Sequence, residues 1–329
     1  MRSSPDFPGL RRLAGALAIV ALSVSCGTKE KPGASPAAPA GKSAAANADG
    51  TSDTAPSIRD TPETGRPPFF GLREARDAAV DDRGRVWVTD FGHAAIRIFT
   101  GDGGFLGGWG GRGDGRYQLK DPCGIAIRGN DVYIADTWNG RVLHYSLAGA
   151  WEGKAPGDFY GPRGIAVAPD GRIWVADTGN QRVVSYDRDL TNPKFYGAKD
   201  GNGPSPIVSP IGIAAGPSGR IYVADTANRR IQVLEPDGAF ESHFDFPSWA
   251  SNSEPYLDVD EGENIYATDP AGQAVVKLDR NGKELQRWTQ DDAGRKFARP
   301  TGIALDQKNG VLYVVNTDID TVGTLKLTK

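Results

Sequence analysis

Three stretches of this 329-residue chain nearly copy one another: IADTWNGRVL from Ile134, VADTGNQRVV from Val175 and VADTANRRIQ from Val223. One reaction needs one constellation, so a motif written several times is architecture before it is chemistry. Repeats of this length cannot bury their apolar faces alone and fold by stacking on their neighbours. The surrounding units begin at Pro122, Pro162 and Pro210, 40 and 48 residues apart, and read PCGIAIRGNDVYIADTWNGRVLHY, PRGIAVAPDGRIWVADTGNQRVVSY and PIGIAAGPSGRIYVADTANRRIQVL. Weaker copies start at Ala75, Pro255 and Pro300, which makes six in all.

Each copy reads as a short strand, a tight turn, a second strand, a loop, a third strand and a more variable fourth. GIAV is built from small residues, as an innermost strand needs where sheets converge. APDGR and GPSGR place Gly where a hairpin wants positive φ. One aromatic recurs at a fixed place in the second strand, as Trp87, Tyr133, Trp174, Tyr222, Tyr266 and Tyr313. Apolar residues alternate around it, which predicts a buried position between sheets. The 43 glycines and 23 prolines suit many turns and few helices. The expected fold is all-β, with six four-stranded sheets arranged radially as a β-propeller.

The consensus P-x-G-I-A-V…G-x-[IV]-[YW]-V-A-D-T-x-N-x-R-[IV] resembles the NHL repeat, including the lead-in GDFYGP at Gly157–Pro162. The resemblance covers about residues 67–329, strongly in copies two to four. It implies a six-bladed propeller used mostly as a binding platform, since a fold alone does not fix a function. The last copy runs to TVGTLKL with no room for a fourth strand, whereas RPPFFGL (Arg66–Leu72) before the first copy is apolar and extended. The N-terminal segment is therefore expected to supply the outer strand of the last blade and close the ring. In D-T-x-N-x-R, Asp136, Asp177 and Asp225 are expected to accept backbone N–H groups of the following turn and to pair in a fork geometry with Arg141, Arg182 and Arg230. Asn is the residue that tolerates left-handed geometry there. Repetition at one place in successive blades makes this motif structural.

Residues 1–25 read as an export signal: Arg2, Arg11 and Arg12 precede an apolar run too short for a comfortable membrane span. SVSCGTKE resembles the lipobox of bacterial lipoproteins, with Ser23 where Leu is usual, and implies lipidation of Cys26. Ordinary secretion is the competing reading. Residues 26–66 then form a lipid-anchored Ala/Pro/Gly/Ser tether with a reach of roughly 35 Å, leaving 67–329 as the propeller. These features place the chain in the bacterial cell envelope as a monomer on a membrane surface. Cys123 remains as a single thiol, so no internal disulfide is expected. Net charge is −3, which offers no basic field for nucleic acid.

Function is expected where the copies differ, on the face carrying the blade-joining loops and the loops after the second strands. Phe91, Trp138 and Trp249 are the candidate contact residues there, set against partial burial under neighbouring loops. Arg76 and Arg163 precede the inner Gly position and should stand at the channel mouth, either holding an anionic group or pairing with loop carboxylates. Asp77 and Asp258 intrude on the small inner strands. Two carboxylates at the axis could hold Ca²⁺, or simply line the channel. No cofactor is required by this reading, and the partner class is protein, peptide or glycan. The alternative is a propeller metalloenzyme of the peptidyl-hydroxyglycine lyase or lactonase type. Against it, His93, His144 and His243 occupy different repeat positions and do not converge as zinc ligands would.

Overall fold

The computed structural model describes residues 55–197 and 206–327. The export segment, Cys26, most of the tether and residues 198–205 of the Gly197–Ser209 loop lie outside the described residues. The strands form six antiparallel sheets. Blade 3 shows the plan, with Pro162–Val167, Ile173–Asp177, Arg182–Tyr186 and Lys194–Gly197 paired in chain order. Each innermost strand touches those of both neighbouring blades, including Ala78–Val80 of blade 1 against Pro300–Asp306 of blade 6. The chain is a closed six-bladed β-propeller.

The repeated Pro-x-Gly explains how the blades converge. In blades 2, 3, 4 and 6 the inner strand bulges between the Pro and the Ile, as between Pro162 and Ile165. A bulge leaves an extra residue unpaired and re-aims its side chain, here the variable x residue. The Gly lies against the next blade: a Cβ on Gly164 would stand 2.2 Å from the Ile211 carbonyl oxygen, and one on Gly302 2.2 Å from Asp77 Cα. A side chain at Gly164 or Gly302 would force the facing inner strand to shift.

The Thr of D-T-x-N-x-R bonds across the seam. Thr137 Oγ1 donates to the Pro162 carbonyl (2.8 Å), Thr178 to Pro210 (2.6 Å) and Thr317 to Ala75 (2.8 Å), in each case the first residue of the next blade's repeat. Blades 1 and 5 carry Phe91 and Pro270 at that place. Both have a Thr two residues earlier instead, where the other blades have Ala or Val. Thr89 Oγ1 donates to the Cys123 carbonyl (2.7 Å) and Thr268 Oγ1 to the Thr301 carbonyl (2.6 Å). Only blade 4 differs, with Thr226 Oγ1 turned to Ala224 of its own strand. There Tyr222 OH reaches across the seam to Glu263 (2.7 Å).

The six recurring aromatics are all buried. Several extend a polar tip to the next blade, Tyr133 OH to the Arg188 carbonyl and Tyr313 OH to the Gly101 carbonyl. An aromatic body with a polar tip suits a packed seam whose far end meets a turn.

The expected ring-closing strand is not formed. Among the described residues blade 6 has three strands, and the extra strand belongs to blade 1, where Ser57–Ile58 pairs with Gly107–Gly108 of the outer strand. Residues 57–58, which composition assigns to the tether, are thus part of a blade. Arg66–Leu72 does reach the seam between blades 6 and 1, but as a plug. The Phe69 N–H donates to Gly103, and Phe69 and Leu72 are buried among Phe99, Tyr313 and Val322. Two prolines at 67 and 68 deny this segment the consecutive donors of a ladder, while burying Phe69 still covers the seam's apolar edge.

Thr89 tests the cross-seam bonds, because changing it to Ala restores the residue that blades 2, 3 and 4 carry. Thr89→Ala strands the Cys123 carbonyl and the Asp77 N–H, which donates to Thr89 Oγ1 at 2.9 Å. A loss of about 1–3 kcal/mol in chemical denaturation is expected. Thr226→Ala should cost less, since its hydroxyl bridges no seam. Equal losses for the two would remove the special role of the seam.

Candidate binding site at the channel mouth

The motif acids were expected to brace the turn that follows; they brace the segment that arrives. Asp136 Oδ1 accepts the Lys120 N–H (2.7 Å), Asp177 that of Tyr160 (2.9 Å) and Asp225 that of Val208 (2.7 Å), each just before its own blade's inner strand. The second oxygen of each takes the motif Asn and the Nε of Arg141, Arg182 or Arg230 at 2.6–2.8 Å. The pairing is through Nε and not a two-pronged fork, because the guanidinium ends go to loop carbonyls such as Asp114, Asp158 and Pro206. The left-handed residue is the one after the Asn, as at Gly140, Gln181 and Arg229. Asn keeps its amide for the Asp instead. Each motif therefore fixes the blade-joining loop on the connection face.

Those loops bring three charged side chains from alternate blades together. Arg76 of blade 1 and Arg163 of blade 3 occupy the x position, and Glu254 of the loop entering blade 5 lies between them. Arg163 Nη1 donates to Glu254 Oε1, and Arg76 Nη1 stands 3.4 Å from Glu254 Oε2. The Arg76 guanidinium lies 4.3 Å from the centroid of Phe91, the residue that replaces the seam Thr in blade 1. Burial alone would raise the Glu254 carboxyl, but Arg163 and Arg76 hold it below its ordinary value. Arg163 is correspondingly held more firmly protonated, Glu254 outweighing the cost of its burial. Cys123, at the x position between them, is buried, and that burial pushes its thiol up to about 11, so it is no nucleophile near neutrality.

The sequence-predicted residues thus divide. Arg76, Arg163 and Phe91 meet at the mouth, with the arginines paired to a loop carboxylate. Trp138 is half-buried on the turn after the second strand of blade 2. Trp249 is not a contact residue: it is 1% exposed, stacks on Phe246 at 4.4 Å and donates its Nε1–H to the Thr268 carbonyl. Sequence reasoning missed Glu254. Its signal was an acid directly before Pro255 at a repeat position that elsewhere holds Pro or Ala.

Asp77 and Asp258 do not fit a metal site. Asp77 Oδ2 accepts the Ile125 N–H of blade 2 (3.2 Å), and Asp258 accepts those of Val259 (2.8 Å) and, in blade 6, Leu305 (2.8 Å). They cap the amides of neighbouring inner strands, and no group of three His, Cys, Asp or Glu suited to a metal exists among the described residues. Burial pushes the Asp77 carboxyl well up, and pushes that of Asp258 up to about 6 although the amides of Leu305 and Val259 pull it down. The histidines stay apart, His93 against Asp90 and His144 against Asp131. A cleft of about 470 Å³ between blades 2 and 3, beside His144, Arg188 and Asp189, lies at the opposite end of the strands from the mouth. There Arg188 bonds Asp131 across the seam, so its polar groups serve blade packing.

Residues 72–99, 159–186 and 208–234 match the NHL repeat model, and the chain carries NHL repeats. NHL repeat-containing protein 3 from Homo sapiens is 30% identical over 125 residues, covering 32% of this chain and 35% of that protein. The chain thus spans about a third of the length of this curated relative. Among solved structures, a gluconolactonase from Xanthomonas campestris superposes with a TM-score of 0.60 at 16% identity, covering 88% of this chain and 99% of that one. A streptogramin B lyase gives 0.56 at 19% identity (77% and 79% covered), and a nidogen/laminin complex 0.56 at 20% (70% and 84%). These likenesses establish the fold.

Asp258 supplies a pH test. Its folded pKa of about 6 lies above the ordinary 3.8, so the folded state favours the protonated acid. That contribution is complete below about pH 4 and is lost as pH rises through 6. Between those pH values the wild type should lose about 1–2 kcal/mol relative to Asp258→Asn, less than the full shift because the side chain stays partly open. Parallel pH–stability curves from urea unfolding would show that Asp258 does not titrate this way.

Proposed function

We propose that this propeller is a binding platform, held on a membrane surface by a lipidated Cys26, whose connection-loop face receives a protein, peptide or glycan. The observation that carries the reading is the presence of large exposed side chains on that face. Tyr160, just before the inner strand of blade 3, is 57% exposed, and Ile319, on the turn after the second strand of blade 6, is 46% exposed. Half-buried Trp138 occupies the corresponding turn of blade 2. Large side chains on rigid turns around a polar centre resemble the anchors and rim of a recognition surface. The nidogen/laminin likeness supports a binding role by analogy of fold.

The second reading is a lactonase or lyase, favoured by the gluconolactonase and streptogramin B lyase likenesses. The donor set at the axis weighs against it. Its acids are engaged by backbone amides, and a hydrolytic metal needs about three converging ligands.

Trp138→Ala and Tyr160→Ala should each weaken binding of a captured envelope partner by about 2 kcal/mol with little change in melting temperature. Leu285→Ala, 50% exposed on the outer strand of blade 5, should leave binding intact. The reverse pattern would move the binding surface to the blade edges. For the anchor, Cys26→Ser should shift the protein from the membrane to the soluble fraction or block its processing. A Cys26→Ser protein that stays membrane-bound with a normally processed N-terminus would refute lipidation.

A further inference from the structure

Buried Arg76 and partly buried Arg163 face one carboxylate at the mouth, and the sharing is incomplete. Arg163 bonds Glu254 directly. Arg76, 7% exposed, does not: its Nε and Nη1, and Glu254 Oε2, are buried without a hydrogen-bond partner among the described residues. The 3.4 Å approach of Nη1 to Oε2 is an ion pair without hydrogen-bond geometry. Buried donors without acceptors are costly and uncommon in a folded protein. Glu74 offers little relief, since it stands 3.7 Å from Arg76 with a side chain that is 53% exposed. Apart from exposed Glu74, the cluster thus sets two guanidiniums against one carboxylate and keeps an unfilled demand for an acceptor.

The carboxylate already present comes from a short, separately held piece of chain. Trp249 pins the entering loop by its stack on Phe246 and its bond to Thr268, and the Tyr256 N–H is held by Thr268 Oγ1 at 2.8 Å. Between these anchors the Ser253 N–H donates to the Ala250 carbonyl (3.0 Å) and closes a turn just before Glu254, with Ser251 and Asn252 exposed. Glu254 is therefore carried by a connecting loop and not by a strand of any blade.

We propose that Arg76 and Arg163 form a carboxylate subsite which Glu254 fills until a ligand carboxylate, such as the C-terminus of a peptide, displaces it. This rests on the connection-loop face being the binding face. Glu254 lies between the two guanidiniums, bonded to Arg163 and 3.4 Å from Arg76, so a planar, two-oxygen anion seated there and free to adjust its position can address both. Phe91 under Arg76 keeps that guanidinium in place when its partner leaves.

Calorimetry on the full chain with N-acetylalanine, N-acetylalaninamide and inorganic phosphate tests the proposal. The acid should bind and the amide should not. Glu254→Gln, which removes the competing charge, should tighten binding of the acid about tenfold. Arg76→Gln and Arg163→Gln should each weaken it at least about tenfold, whereas Arg116→Gln, an exposed arginine, should leave it unchanged. Should Glu254→Gln fold poorly, Glu254→Asp keeps the charge with a shorter reach and should still tighten binding. Binding of the amide, equal binding of phosphate, weaker binding by Glu254→Gln, or no binding by either wild type or Glu254→Gln would each overturn the proposal. Trp138→Ala separates the two readings, for it should retain affinity for N-acetylalanine while losing the partner. If the acid fails to bind but Trp138→Ala still weakens the partner, only the subsite falls.

Discussion

The propeller depends on a hydroxyl–carbonyl bond made where each blade begins. An innermost strand pairs on one side only; its other edge faces the axis and has no ladder to hold it. Its start must be fixed by something from the preceding blade, or the ring spreads and its inner amides are left to water. A Thr hydroxyl donated to the first carbonyls of the next blade does this at five of the six seams. A buried carbonyl bonded this way contributes modestly, but leaving it unpaired costs about 1–3 kcal/mol. The same bond closes the circle, from Thr317 of blade 6 to Ala75 of blade 1. Closure therefore needs no shared strand, which is the physical reason the N-terminal segment is free to plug the seam with Phe69 and to extend blade 1 instead.

Blades 1 and 5 show that the bond matters more than the residue that makes it. Each has lost the motif Thr, and each has a Thr two positions earlier on the same strand face, reaching one residue further along the next blade. Those are also the blades whose mouth residues are most unusual, Arg76 with Phe91 in one and Glu254 with Pro255 in the other. Moving the seam bond inward frees the motif position in blade 1 for an aromatic under a guanidinium. The departure from consensus and its structural compensation occur together.

Much of this was legible in the sequence because it is periodic. The strands, the buried aromatic row, the Gly approaches and the Asp–Arg pairs recur, and each recurrence repeats the inference. What was not legible depends on loops, which occur once. The acids were assigned to the following turn since that turn is adjacent in sequence; the amide they hold is some 17 residues earlier and adjacent only in space. Trp249 looked like a contact residue in a polar loop, whereas Phe246 and the Thr268 carbonyl make it an anchor. The two arginines were readable as neighbours of one opening, but not the glutamate between them. Its position depends on how a loop folds back from Trp249, and no periodicity reports that.

The contrast between seam and mouth also bears on what the protein can do. At the seams the bridging Thr hydroxyls have their carbonyls, and Asp77 and Asp258 are engaged by inner-strand amides. Such acids resist recruitment as metal ligands, because coordination would leave those amides unpaired inside the ring. At the mouth the balance is reversed, with more cationic donors than acceptors and an internal carboxylate that fits only one arginine well. Polar groups that are satisfied hold a structure; polar groups left wanting, beside a connecting loop, are what a ligand can complete.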